Sequence, residues 1–214
     1  MLVTQNESIE EKWTNILTHG LGLLFSVGAL VYFLCKLQIL PSVTLKIGVL
    51  LFTCSMIFVY FSSTLYHLID LYRPEKILGY RKLDHMSIYT LIAGTQTPFI
   101  ILYLEDAMAI KYLLLLWTLA LAGLIFKFFF LEKYEKLAVG SYLGLGWLVV
   151  IVIPSMFQSM DIVVFYWILA GGLAYSVGVF FYLREQMKFN HAIWHLFVLG
   201  GSATHFVALL YALS

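Results

Sequence analysis

His191-Ala-Ile-Trp-His195 opens a run that stays largely apolar through Leu196-Phe-Val-Leu-Gly-Gly-Ser-Ala-Thr-His205-Phe-Val-Ala-Leu-Leu-Tyr-Ala-Leu213. A hydrocarbon core about 30 Å thick needs roughly 20 apolar residues in one helix, and this run supplies that length. Two histidines four apart stand one above the other on a helix face. That spacing lets two imidazoles reach one metal ion. Two ligands do not complete a zinc site. The rest of the chain must therefore supply others at the same membrane depth. Ser202 and His205 continue the stripe of His191 and His195, so one face of this helix is polar and turns into the bundle.

The composition agrees with a membrane helix here. Of 214 residues, 62% are hydrophobic and 12% charged, which places the chain among integral membrane proteins. A net charge of +1 gives no electrostatic case for a nucleic-acid partner. The acidic start (Glu7, Glu10, Glu11) and the length of the first apolar run argue against a signal peptide. Cys35 and Cys54 fall in apolar segments and are read as packing residues, without a disulfide.

Seven stretches reach spanning length: Ile16–Leu40, Leu45–Ile69, Leu83–Leu104, Ala107–Phe130, Leu137–Phe157, Ile162–Leu183 and His191–Leu213. The fold expected is an all-α integral membrane protein, one seven-transmembrane-helix bundle over residues 1–214. Short loops make sequence neighbours pack antiparallel, and there is no internal repeat. Basic residues set the orientation. Lys12, Arg73, Lys76, Arg81, Lys82, Lys127, Lys133, Lys136, Arg184 and Lys188 fall on one side, against Lys36, Lys46 and Lys111 on the other. The N-terminus is therefore expected in the cytoplasm and the C-terminus outside, across a cell membrane.

Three small-residue pairs, Gly22 with Ser26, Gly140 with Gly144 and Gly172 with Ser176, let helix backbones approach. They are expected to serve packing within the bundle. The alternative is a dimer interface. Pro98 removes a backbone bond to the Gly94 carbonyl and is expected to kink the third helix. That kink is either a tolerated membrane proline or the opening of a cavity.

Ionisable residues inside a membrane are costly and point to function. His67 ends the second helix, Asp84 begins the third, and His191 and His195 open the last, all at the same side. His19 lies at that level on the first helix, where lining the site and reaching headgroups are both open. His67, His191 and His195 with one open position make the tetrahedral geometry of catalytic zinc. Asp84 is either a further ligand, directly or through water, or the residue that takes a proton from water. Imidazole and carboxylate suit Zn2+, while ligand type alone leaves manganese and iron open. Ser63, one turn before His67, shares its face. It is the second candidate catalytic residue beside Asp84, unless its hydroxyl bonds back to its own helix. His85 projects about 100° from Asp84 and is read as reaching headgroups or water. His205 lies roughly 15 Å beyond His195, too deep for a ligand, as a proton-relay or cavity residue. A structural zinc site would usually be closed and cysteine-rich, and no cysteine lies at this depth.

These segments resemble the hemolysin III family, the bacterial branch of the progestin and adipoQ receptor family. The resemblance rests on Asn15 with Thr18-His19-Gly20, Ser63-Thr-Leu-Tyr-His67, Lys82-Leu-Asp84-His85, Ile88-Tyr89, Leu91-Ile-Ala-Gly94-Thr95, Thr97-Pro98 and His191-Ala-Ile-Trp-His195 with His205. It implies seven helices with the N-terminus inside. It also implies zinc on His67, His191 and His195, with Asp84 at a water. Alkaline ceramidases in the wider superfamily imply a zinc-dependent lipid amidase, and bacterial members imply membrane lipid homeostasis or hemolysis. The chain starts close to its first helix, so the signalling of the animal receptors is not carried over. Gln96 replaces an expected aromatic residue and bears on the cavity.

Four functions follow from this reading. The first is a metal-dependent hydrolase of a lipid amide or ester, with a membrane lipid as substrate. The second is a receptor-like sensor with structural zinc and a lipid ligand. A cytolysin needs a soluble form that seven apolar spans do not offer. A transporter lacks repeats and a chain of midplane charges. The oligomeric state is not encoded in these features.

Overall fold

A computed structural model describes residues 7–131 and 133–214, and among these there is helix and no strand. Eight α-helices follow in order: α1 (Ile9–Lys36), α2 (Val43–Tyr72), α3 (Ile77–Tyr103), α4 (Asp106–Phe129), α5 (Glu135–Gly146), α6 (Ile153–Met156), α7 (Ile162–Tyr182) and α8 (Asn190–Ala212). α1 (through the 3-10 turn that follows it), α2, α4, α7 and α8 are long and apolar enough to cross a membrane. α3 is long enough but carries Asp84, His85, Ser87, Thr95, Gln96 and Thr97, all buried. Its neighbours explain this. α3 packs against α2, α4, α5, α6 and α8, so its polar groups face protein and not lipid.

The side-chain distribution is that of a membrane bundle. On α1 the buried residues Asn15, Thr18, His19, Gly22, Ser26, Ala29 and Phe33 form one stripe at helical spacing. Leu17, Leu21, Leu24 and Val31 on the opposite side are exposed. Apolar side chains facing outward and polar ones facing inward are what lipid as solvent selects. Ser8 caps α1 by accepting from the Glu11 N–H, while the Glu11 side chain accepts from the Ser8 N–H, a capping box.

The expected fifth span is not one regular helix. α5 stops at Gly146, a 3-10 segment covers Trp147–Ile151, and α6 is one short turn. Pro154, in the first turn of α6, has no N–H for the carbonyl of Val150, so the 3-10 segment does not run on into α6 as one regular helix. At Pro98, by contrast, α3 runs through without interruption. There α2 comes close: a Cβ on Gly48 would lie 3.4 Å from the Pro98 Cα.

The small-residue pairs divide. A Cβ on Gly22 would sit 2.4 Å from the Tyr60 ring, and Ser26 is buried, so this pair does serve packing. Gly172 meets Trp147 at 3.6 Å, and the Trp147 indole donates to Ser176 Oγ at 2.9 Å. Gly140 and Gly144 are exposed and meet nothing within 4 Å, which corrects the internal-packing reading for that pair. Cys35 and Cys54 are free and exposed, so they lie on the outer surface and pack no core. Lys127 falls within the expected fourth span. It lies in the last turn of α4 at 0% exposure, bonded to the Leu131 carbonyl and to Glu135.

Candidate metal site

The site forms where the C-terminal end of α2 meets the N-terminal end of α8. His67 comes from the first, His191 and His195 from the second. Their ligand atoms all lie within 4.8 Å of one another. The ring centroids are 5.0 Å apart for His67 with either partner and 4.5 Å apart for His191 with His195. The helical i, i+4 spacing accounts for the α8 pair. His67 is brought in by α1, which packs on both α2 and α8. The donor set fits a metal. The buried Nε2 of His67 has no hydrogen-bond partner, and a buried nitrogen left in that state costs about 1–3 kcal/mol.

Thr18 of α1 sets the tautomer of His195. Its hydroxyl lies 3.1 Å from His195 Nδ1, 2.8 Å from the Thr14 carbonyl and 3.0 Å from that of Asn15. Carbonyls only accept, so the hydroxyl proton goes to them and its oxygen accepts from His195 Nδ1–H. Nε2 of His195 is then bare and free to ligate. Such outer partners are worth roughly 10–100-fold in metal affinity. Thr18→Val is expected to lower affinity by about that factor, measured by competition with a metallochromic chelator, with the helix content unchanged.

His19 stacks face to face on His195, with centroids 3.5 Å apart and planes 24° apart. It is 3% exposed, so it lines the site and does not reach headgroups. His85 is 6% exposed and lies 4.0 Å from a Glu135 oxygen, which corrects the reading that it faces water. Asp84 is buried and sits two turns inside α3, because that helix begins at Ile77. The Ser63 hydroxyl lies near its carboxyl while closing no hydrogen bond of good geometry. Asp84, Ser63, His19, His191 and His195 all line one cavity.

That cavity continues inward. Ile88, Ile92, Val139, Met156, Ile168 and His205 are among its walls, so a polar end adjoins a mostly apolar interior. Gln96 also lines it, but its side chain is engaged. Oε1 accepts from Tyr112 at 2.8 Å, and Nε2 donates to the Leu145 carbonyl at 3.1 Å.

Two supports were missed from the sequence. Tyr182 packs on His191 with centroids 5.9 Å apart, and its hydroxyl donates to Glu135 at 2.7 Å. Glu135 in turn holds Lys127. Phe189, just before α8, has φ 58°, in the left-handed region. Its N–H donates to Glu11 at 2.8 Å, so the start of the chain fixes the entry to His191. Only the left-handed residue before a helix could have signalled this, and Phe does not announce it as Gly would.

The chain as a whole has relatives. The family model for haemolysin-III-related proteins matches residues 7–206. The chain belongs to the haemolysin III family. Hemolysin-3 of Bacillus cereus is 38% identical over 210 residues, covering 98% of this chain and 95% of that protein. The Hemolysin-3 homolog of Bacillus subtilis is 39% identical over 204 residues, 95% of each chain. A human protein, monocyte to macrophage differentiation factor, is 33% identical over 127 residues, 59% of this chain and 52% of its own length. As a haemolysin III protein with several spanning helices, the chain is a multi-pass membrane protein. Its three clustered histidines are able to hold a metal ion.

Proposed function

We propose that this protein is a zinc-dependent hydrolase of a lipid amide or ester, acting in membrane lipid homeostasis. In this reading the whole chain is one domain. α3 and the broken segment from α5 to α6 complete a seven-spanning bundle with the N-terminus and the metal site at the cytoplasmic face. The observation that carries the proposal is the union of three clustered imidazoles with a buried acid in the wall of a largely apolar cavity.

His67, His191 and His195 hold the ion. When bound, zinc supplies Lewis acidity for a carbonyl and acidifies water. Asp84 takes a proton from the attacking water at its carboxylate and returns it to the leaving nitrogen or oxygen as the acyl bond breaks. When Asp84 is charged, the neighbouring Ser63 hydroxyl closes onto the carboxylate and keeps it turned to the cavity. The apolar walls hold the acyl chain and exclude water from the reacting carbonyl. The expected result is release of fatty acid from a panel of N-acyl and ester lipids by purified protein in liposomes, read by mass spectrometry. Chelation should abolish release and zinc should restore it. Full activity in metal-free protein would end the catalytic reading.

A receptor-like sensor with structural zinc is the second reading. It is favoured by one feature: the histidine cluster joins α2 to α8 and, through Thr18, to α1, whatever occupies the cavity. A deletion strain and an Asp84→Ala strain separate the two. Hydrolase loss accumulates the same lipid class in both, whereas a sensor that needs only the metal does not.

A further inference from the structure

Ten residues beyond His195 on α8, and roughly 15 Å along the axis, His205 lines the inner part of the cavity. It is 8% exposed. Its Nε2 lies 3.2 Å from the carbonyl oxygen of Ile168 on α7. A carbonyl only accepts, so Nε2 carries the proton. In the neutral ring Nδ1 is then a bare acceptor, and it is buried with no hydrogen-bond partner.

Gly171 fixes where that acceptor points. A Cβ placed there would lie 2.3 Å from His205 Cδ2 and 2.4 Å from Nε2. The Cδ2–Nε2 edge of the ring therefore rests on the α7 backbone. In a five-membered ring Nδ1 stands opposite that edge, so it points away from α7. The polar groups nearby are already engaged. Tyr60 and Tyr175 both reach Ser202 Oγ, at 2.7 Å and 2.9 Å, and Phe99 offers only a ring edge-on at 6.3 Å. A water needs about two to four polar partners to stay in such a place, and the walls here are mostly carbon.

The geometry points to a hydrogen bond supplied by the ligand: the cavity takes a lipid whose acyl chain carries a hydroxyl in its middle, donated to His205 Nδ1. This rests on a lipid chain occupying the cavity and not on its hydrolysis. Chains without the hydroxyl leave the acceptor bare, so the protein discriminates between them at a point far from the metal site.

The test is displacement of a fluorescent fatty acid from the protein in lipid nanodiscs. The competitors are octadecanoate and its monohydroxylated isomers, with the hydroxyl moved stepwise along the middle of the chain. One isomer or two adjacent ones should compete several-fold and up to about tenfold better than octadecanoate, the range one net hydrogen bond supports. His205→Leu should erase that preference, so that plain and hydroxylated chains compete alike, while His205→Gln, which keeps an acceptor, should retain part of it. Equal competition by all isomers on the unaltered protein would overturn the proposal without any variant having to fold, and so would a preference that survives in His205→Leu. If neither octadecanoate nor its isomers displace the probe, the lipid-filled cavity itself is wrong, and this inference falls with it.

Discussion

Replacing His67 with alanine is expected to lower metal affinity by more than about 100-fold, beyond the range for loss of an outer-sphere partner. Three imidazoles converge on one point, and the two on α8 are held in place by their own helix. His67 is the imidazole that α2 brings to them, so in the metal-bound protein its loss would remove both a donor and a link between helices. A ligand bound only by the folded state stabilises it by about 4 kcal/mol when present at 1,000 times its dissociation constant. Metal analysis of the purified protein should give about one ion per chain, and none in His67→Ala or His195→Ala. Thermal unfolding adds a second readout that needs no activity. Chelation should lower the midpoint of the unaltered protein and leave the already lowered midpoint of His67→Ala where it is. Stoichiometric metal retained in His67→Ala would show that the ion sits elsewhere.

Why this cluster was legible in the sequence, and its supports were not, follows from what each residue has to announce. A histidine in an apolar run is conspicuous because lipid penalises it. Depth alone then groups His67, His191 and His195, although the first is far from the others in the chain. Thr18 gives no such signal. Threonines in membrane helices commonly bond to their own backbone, as Thr18 also does, and only its distance to His195 shows the second role. His85 misled for a related reason. Its angular offset from Asp84 was read correctly, but α5 and Glu135 lie on that side, so the offset leads into protein and not into water.

Spanning length was equally uneven as a signal. α1, α2, α4, α7 and α8 meet lipid on one side and so must be apolar. α3 is shielded by its neighbours and is free to be polar, which weakens its hydropathy while making it the helix that carries Asp84. The exposed glycines of α5 show the converse limit. Inner and outer faces of a membrane helix are both built of small and apolar residues, so spacing alone did not tell Gly140 and Gly144 from the packed Gly22.

Asp84→Asn is the substitution that isolates chemistry from structure. The amide keeps the size of the carboxyl group and stays in the same buried place on α3, but it cannot take a proton. If Asp84 moves the proton in the hydrolysis proposed above, turnover should fall by about 10²–10⁴, the usual worth of a positioned general base. KM should change little, since the acyl chain is held by the apolar walls farther in. Metal content should stay near one per chain, because the three histidines hold the ion without the acid. The three readouts together separate the roles. Loss of metal along with activity would make Asp84 a ligand. Loss of activity with metal kept would assign it the proton. Ser63→Ala supplies the graded control: its hydroxyl only steadies the carboxylate, so the expected loss is smaller, roughly that of one hydrogen bond to a charged group, about 1.5–3 kcal/mol or 10–150-fold. Full turnover in Asp84→Asn would remove the acid from the mechanism and assign the proton to another group.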